Sequence, residues 1–336
     1  MSRFCNVLGI LTKPNYPLGK TSRTLRKRLL NPTNAFSFES GRNVSIESTP
    51  RFSLIKGNGP RNQVLGSPRN KELFILDKKY MSSVPTQYID LDGGRKIAYK
   101  LTVGDLRKPT VVYVPGLLNT MEETKAVALH TFCEKTQLTL VRFDFEGIGE
   151  SPGSIEKVNF GQWIDDLRHV VKEICQTPVI YVAFSMGGWI STKIAIEIPE
   201  KLHSILYVAP GFNFLQYYYG IFYEKLPPEQ KKALDDGACI YFNDLFMRKD
   251  FATESVKHHI NLKEKIPIAA PIRILHGMLD KDAPYKVSLD LLPMFESSDV
   301  DIYLRKSGKH FMTEPSDLAI MISLLDELVQ KYPLKK

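Results

Sequence analysis

Val179-Ile-Tyr-Val-Ala-Phe184-Ser185-Met186-Gly187-Gly188-Trp189 is an apolar, β-branched run that ends on a serine set against glycines and then turns helical. A strand that delivers a serine onto a tight strand-to-helix turn lifts its Oγ clear of the backbone. The positive end of the following helix then favours an oxyanion beside it. The stretch reads as a nucleophile elbow centred on Ser185. Two further residues follow in the chain order such an elbow needs, Asp280 in His276-Gly-Met-Leu-Asp280 and His310 in Ser307-Gly-Lys-His310.

An unassisted serine hydroxyl is a poor nucleophile at neutral pH. It needs a general base within hydrogen-bond reach and a third group that fixes the tautomer of that base. His310, in a polar loop after an expected strand, is the candidate base. Asp280, in the loop directly after the strand ending at Leu275-His276, is the candidate acid, with Asp282 in reserve two residues along. Two backbone N–H groups should hold the oxyanion, that of Met186 just after the nucleophile and one from the loop leaving the strand at Val114. In that loop Pro115 has no N–H and Gly116 permits a sharp turn, so Leu117 is the expected second donor. A serine among glycines is by itself more often an ordinary turn, and His258, His259 and His276 read as structural or surface residues. The ordered set of strand, elbow, helix, acid and histidine is what points to chemistry.

Outward from the elbow, short apolar runs at Val111–Val114, Leu138–Phe143, Ile205–Val208, Ile272–Leu275 and Val300–Leu304 suit strands buried on both faces. Gln87–Leu91 and Lys96–Lys100, around Asp92-Gly93-Gly94, read as an antiparallel hairpin at the edge. Phe160, Trp163, Ile164, Leu167, Val170, Val171 and Ile174 form one helical stripe, and a second helix is expected over Ser316–Lys331. Strands alternating with helices imply βαβ units, hence an α/β fold with a mostly parallel sheet covered on both sides. Residues 211–268 are too long for a simple crossover and are expected to form a small cap above the sheet's C-terminal edge. Seven aromatics crowd into Phe212–Tyr223. Of these, Phe212, Phe214, Tyr217, Tyr218 and Phe222 could line an acyl groove or equally form the cap's own packing core.

The chain has 336 residues and a formal net charge of +8, but residues 1–70 alone hold twelve Lys/Arg against Glu39 and Glu47, a balance of +10 that leaves −2 for the remainder. The basic excess thus lies in a leader that looks removable, and nucleic acid is not an expected partner. The leader, with Arg23-Thr-Leu-Arg26-Lys27-Arg28, has the composition of an organellar transit peptide, so mitochondrial import is expected, with a cytoplasmic location as the alternative. Residues 71–85 read as a linker and 86–333 as the folded domain. No run of about 18 apolar residues is present to span a bilayer. The four cysteines show no CxxC pairing and read as reduced thiols. No Cys/His spacing suggests a metal, and no cofactor is implied. Asp144-Phe-Glu-Gly147-Ile-Gly149-Glu-Ser151 lacks the lysine of a phosphate loop and reads as a structural turn.

Val114-Pro-Gly116, Thr124-Lys-Ala, Arg142-Phe-Asp144 with Gly147-x-Gly149-x-Ser151, Ser185-x-Gly187-Gly188-Trp189, Ala270-Pro-Ile-Arg273-Ile-Leu-His276-Gly277-Met278 and Asp299–Lys306 resemble the α/β-hydrolase family, in particular its mitochondrial palmitoyl-protein thioesterase branch. The likeness covers about residues 86–333. It implies a monomeric serine hydrolase with Ser185, Asp280 and His310 in the triad positions. Its implied substrates are S-acylated proteins, with acyl glucuronides as a second class. Lys231, Lys232, Arg248 and Lys249 could attract a glucuronate carboxylate or simply form a solvated face. Ala183 departs from the pattern, standing where an elbow commonly has its first glycine. A small-metabolite carboxylesterase and a silent scaffold of the same fold are the rival readings.

Overall fold

The computed structural model describes residues 84–242 and 245–334. The expected leader, 1–70, and nearly all of the linker lie outside them. The described residues form ten strands and eight α-helices, numbered in chain order. Strand β1 (Gln87–Asp90) and β2 (Lys96–Thr102) form the expected hairpin, with Gly93 and Gly94 at φ 74° and 79° in its turn. Side chains with a Cβ rarely adopt that backbone, so the turn demands glycine there.

Strands β3 (Thr110–Val114), β4 (Leu140–Phe143), β5 (Val179–Phe184), β6 (Leu202–Val208), β9 (Ile272–Gly277) and β10 (Val300–Arg305) complete an eight-stranded sheet. Its order is β1-β2-β4-β3-β5-β6-β9-β10, antiparallel at β1-β2 and β2-β4 and parallel in every other pair. Every residue of β3, β4, β5 and β9 is buried, which is why these strands read as continuous apolar runs rather than alternating ones. One apolar cluster packs around Trp163, Trp189 and Phe143, another around Leu129, Leu206 and Leu325.

Crossovers between the parallel strands carry α1 (Thr124–Thr136), α2 (Phe160–His169) and α3 (Met186–Glu197), and α8 (Pro315–Lys331) follows β10. The stripe expected over 160–174 begins as α2 and finishes in a wider π-type turn over Val170–Ile174. Asn159 and Gln162 close the start of α2 reciprocally, each side chain accepting the other's backbone N–H.

Between β6 and β9 the chain forms α4 (Leu215–Glu224), α5 (Pro228–Asp235), a hairpin of β7 (Ile240–Phe242) and β8 (Leu245–Met247), and α6 (Lys249–Glu254). It has a small core of its own, in which Tyr219, Phe222, Tyr223 and Ile240 pack on Leu226, Leu234 and Met247. A short helix α7 (Lys286–Leu291) follows β9. The loops after β3, β5, β6, β9 and β10 leave the C-terminal ends of five adjacent parallel strands, the edge at which open α/β sheets bind ligands.

Candidate active site

Ser185 stands between β5 and α3 with φ 50° and ψ −119°, a conformation that is costly for a residue with a side chain and persists only where the surroundings enforce it. Enforcement comes from both sides. The Ser185 N–H donates to Val208 O at 3.1 Å, and its carbonyl accepts from Gly188 N at 2.9 Å and Gly211 N at 3.0 Å. A Cβ on Gly187 would lie 2.5 Å from Val114 O, and one on Gly116 would lie 3.1 Å from Ser185 Cβ. These two glycines let the loop after β3 run directly against the elbow. Ala183 sits within β5, in register with Val114 and Tyr207, so the strain falls on Ser185 and no glycine is required at position 183.

Leu118, Ala209, Asn213 and Met312 share positive φ with Ser185. All five lie in the loops at that one sheet edge, whereas Gln137, the sixth described non-glycine residue with positive φ, caps the C-terminus of α1. Clustered strain of this kind is a mark of a functional site.

His310 bridges the other two candidates. Its Nε2 is 3.0 Å from Ser185 Oγ, and its Nδ1 is 2.7 Å from Asp280 Oδ2. An ionised carboxylate only accepts, so Nδ1 carries the proton and Nε2 is left to accept from the serine hydroxyl. Asp280 is buried and fully engaged. Its Oδ1 accepts the N–H groups of Asp282 and Ala283, both at 2.9 Å, and its Oδ2 also faces His276 Nε2 at 3.0 Å. Burial alone would push this carboxyl up, but the hydrogen bonds from His276 and His310 and the charge of His310 bring it down to about 2. It therefore stays anionic throughout the neutral range.

His276 has a part that the sequence did not suggest. It is buried, and its Nε2 faces two groups that only accept, Asp280 Oδ2 and Ala283 O at 2.8 Å, so Nε2 carries the proton. Its Nδ1 then accepts from Ser288 Oγ at 2.7 Å. His276 thus holds the acid loop and the carboxylate together from behind. The i to i+4 spacing to Asp280 was the one signal available. Asp282 does not replace Asp280. Its Oδ1 is buried without a hydrogen-bond partner, and burial pushes its carboxyl up.

Met186 opens α3, so its N–H is among the helix-start donors that lack an intrahelical acceptor, and Leu117 follows Gly116 in the loop lying against the elbow. The five aromatic candidates separate. Phe212 packs on Tyr207, and Phe214 packs between Trp189 and Tyr218. Phe222 belongs to the small core between β6 and β9. Tyr217 is exposed and, with Asn213, Gln216, Ile221 and His259, lines a cavity of about 550 Å³. Tyr218 donates to Asp282 O at 2.6 Å.

Lys231, Lys232, Arg248 and Lys249 are paired with Glu224, Asp236, Asp250 and Asp235 respectively. Asp144 is buried and accepts Met121 N at 2.7 Å and Glu150 N at 2.8 Å, tying the loop after β3 to the turn after β4. Burial raises its carboxyl to about 6 against the pull of those two N–H groups.

A family model described as serine aminopeptidase, S33 matches residues 106–236. The mouse mitochondrial palmitoyl-protein thioesterase ABHD10 is 32% identical over 241 residues, covering 70% of this chain and 79% of that protein. Its human counterpart is 32% identical over 242 residues, covering 70% and 77%. The chain belongs to the ABHD10 family of α/β hydrolases. The solved structure of mouse α/β hydrolase domain-containing protein 10 matches at 31% identity with a TM-score of 0.65, covering 74% of this chain and 99% of that one. Est1E from Butyrivibrio proteoclasticus, with ferulic acid bound, shares the fold at 18% identity and a TM-score of 0.59. As a member of the ABHD10 family the chain is a hydrolase with an α/β-hydrolase fold. No helix among the described residues is long and apolar enough to cross a membrane.

Proposed function

We propose that this hydrolase cleaves acyl esters and thioesters through an acyl-serine intermediate, with S-palmitoylated protein cysteines as its preferred substrates. The observation that carries this reading is the unbroken chain from Ser185 Oγ through His310 to Asp280, at 3.0 and 2.7 Å, on a strained elbow. The Ser185 hydroxyl gives its proton to His310 Nε2 as Oγ attacks the acyl carbon. The oxyanion turns to the N–H groups of Leu117 and Met186. When the tetrahedral species collapses, the carbon–sulfur bond breaks, and the cysteine thiolate takes the proton from His310. A water, deprotonated by the same nitrogen, then releases the fatty acid and restores Ser185.

The palmitoyl class is supported by the names of the ABHD10 relatives, which are called palmitoyl-protein thioesterases. The aromatic helix α4 and the segment before it would supply apolar surface to the chain through Phe214, Tyr217 and Tyr218, whereas Phe212 is buried and Phe222 packs in the small core between β6 and β9. Each buried CH₂ gains about 0.8 kcal/mol. Acyl glucuronides form a second substrate class of the same chemistry. Those relatives are also named as mitochondrial, and with the acid-poor leader this supports import into the matrix.

The test is covalent labelling with a fluorophosphonate together with a panel of long-chain acyl thioesters, short acyl esters and acyl glucuronides. Ser185→Ala should lose the label and about 10⁴-fold or more of turnover. Full turnover in that variant would refute the acyl-serine route, and a preference for short esters would refute the palmitoyl assignment. A reporter fused to residues 1–70 that stays in the cytosol would remove the import proposal.

A further inference from the structure

The side chain of Lys125, near the start of α1, is 1% exposed although it carries an ammonium group. Taking a charge out of water is costly unless partners replace the hydration shell. Here the partners come from three separate parts of the site. Nζ donates to the main-chain carbonyl of Phe311, the residue after His310, at 3.1 Å. It sits 3.9 Å from the centre of the Phe184 ring, the residue before Ser185. It also lies 3.4 Å from Glu123 Oε2, and the other oxygen of Glu123 accepts from Asn119 Nδ2 in the loop that carries Leu117. The Phe184 ring in turn packs at a tilt of 42° against the His310 imidazole, with centroids 5.1 Å apart.

From this convergence we infer that Lys125 is a positioning residue for the hydrolysis. It fixes the loop of His310 against the elbow and couples it to the loop of the second oxyanion donor. The inference rests on the acyl-serine reading above. Physically, His310 must hold hydrogen bonds on both ring nitrogens at once while its charge changes. Its own loop is held at the neighbouring peptide by the ammonium, a stronger donor than a neutral group. A cation over an aromatic face gains most where water is excluded, as it is beneath Phe184. An apolar side chain of similar length would fill the space but leave the Phe311 carbonyl unheld.

The test compares Lys125→Met and Lys125→Arg with the unaltered chain, using the final extent of fluorophosphonate labelling to count competent sites. Misplacement by about 1 Å can cost on the order of 10²-fold in rate. Per labelled site, kcat for a long-chain thioester should therefore fall roughly 10- to 100-fold in Lys125→Met with KM within about twofold, and Lys125→Arg should recover part of the loss. The low-field proton signal of His310 Nδ1–H should be broader in the methionine variant than in the unaltered chain.

If Lys125→Met does not fold, Glu123→Gln provides the second measurement. It removes the charge partner while keeping a carbonyl that can accept, and kcat should fall several-fold at constant KM. Should kcat per labelled site stay within twofold in whichever variant folds, with the His310 signal unchanged, the positioning role is wrong. Absence of labelling in the unaltered chain would instead strike the acyl-serine reading itself.

Discussion

The phenol of Tyr218, on α4, donates a 2.6 Å hydrogen bond to the main-chain carbonyl of Asp282, two residues beyond the buried carboxylate of Asp280. The aromatic helix and the acid loop are 64 residues apart in the chain. This bond makes the position of one depend on the position of the other. Tyr218→Phe keeps the ring and removes the bond, so about 1 kcal/mol of stability should be lost. We expect KM for a long-chain thioester to rise more than kcat falls, read by urea unfolding and steady-state kinetics. Equal KM with a large drop in kcat would contradict this link between the helix and the substrate.

Asp280 makes stability depend on pH. Its folded carboxyl is held near 2, below the ordinary value of 3.8. A depressed carboxyl contributes stability that is fully present above the unfolded value and lost as pH falls through the folded one. The window here is about pH 4 down to 2, and the contribution is about 2 kcal/mol. Asp280→Asn should flatten that part of the curve, seen by comparing urea midpoints at pH 5 and pH 2.5. An equally steep acid loss in the asparagine variant would show that another group is responsible.

Removing the imidazole of His276 leaves the Ala283 carbonyl and the Ser288 hydroxyl without their partner, at a cost of about 1–3 kcal/mol for each group left unsatisfied. His276→Phe should therefore unfold at clearly lower urea. Because Asp280 Oδ2 loses one of its two histidine donors, kcat should also fall roughly tenfold at constant KM. A stability loss with unchanged kcat per labelled site would confine His276 to the scaffold.

Two glycines should respond in opposite directions to the same change. A methyl on Gly187 would meet Val114 O at 2.5 Å and Pro115 O at 2.6 Å, both fixed backbone atoms, so Gly187→Ala should cost about 1–3 kcal/mol and displace the loop of Leu117. Gly220 lies inside α4 with nothing within 4 Å of the added Cβ. Gly220→Ala should stabilise by roughly 0.5–1 kcal/mol. Thermal unfolding of the two variants side by side decides the sign.

Much of this architecture was legible along the chain because it rests on short-range pattern. Continuous apolar runs marked strands that are buried on both faces, and the stripe from Phe160 marked a helix to within its last turn. The glycines at 93 and 94 are local devices whose effect is felt within a few residues. The motif around Ser185 is equally local. Period and turn chemistry act within one element, so they are written in consecutive residues.

Which side chains meet across elements was settled only by the tertiary structure. Asp280 rather than Asp282 faces His310, because Oδ1 of Asp280 is anchored by two loop N–H groups while Oδ2 is left for the imidazole. His276 stands as a plain strand residue in the sequence, and Lys125 as one more lysine at a helix start, until folding surrounds each with partners from distant segments. The aromatics of 212–223 look alike in a row, yet packing sends Phe212 and Phe222 into different cores and leaves Tyr217 exposed. A contact between residues 125 positions apart, as for Ser185 and His310, depends on how five loops leave one sheet edge. No local periodicity encodes that path, since it follows from strand order and from the close packing that strand order imposes.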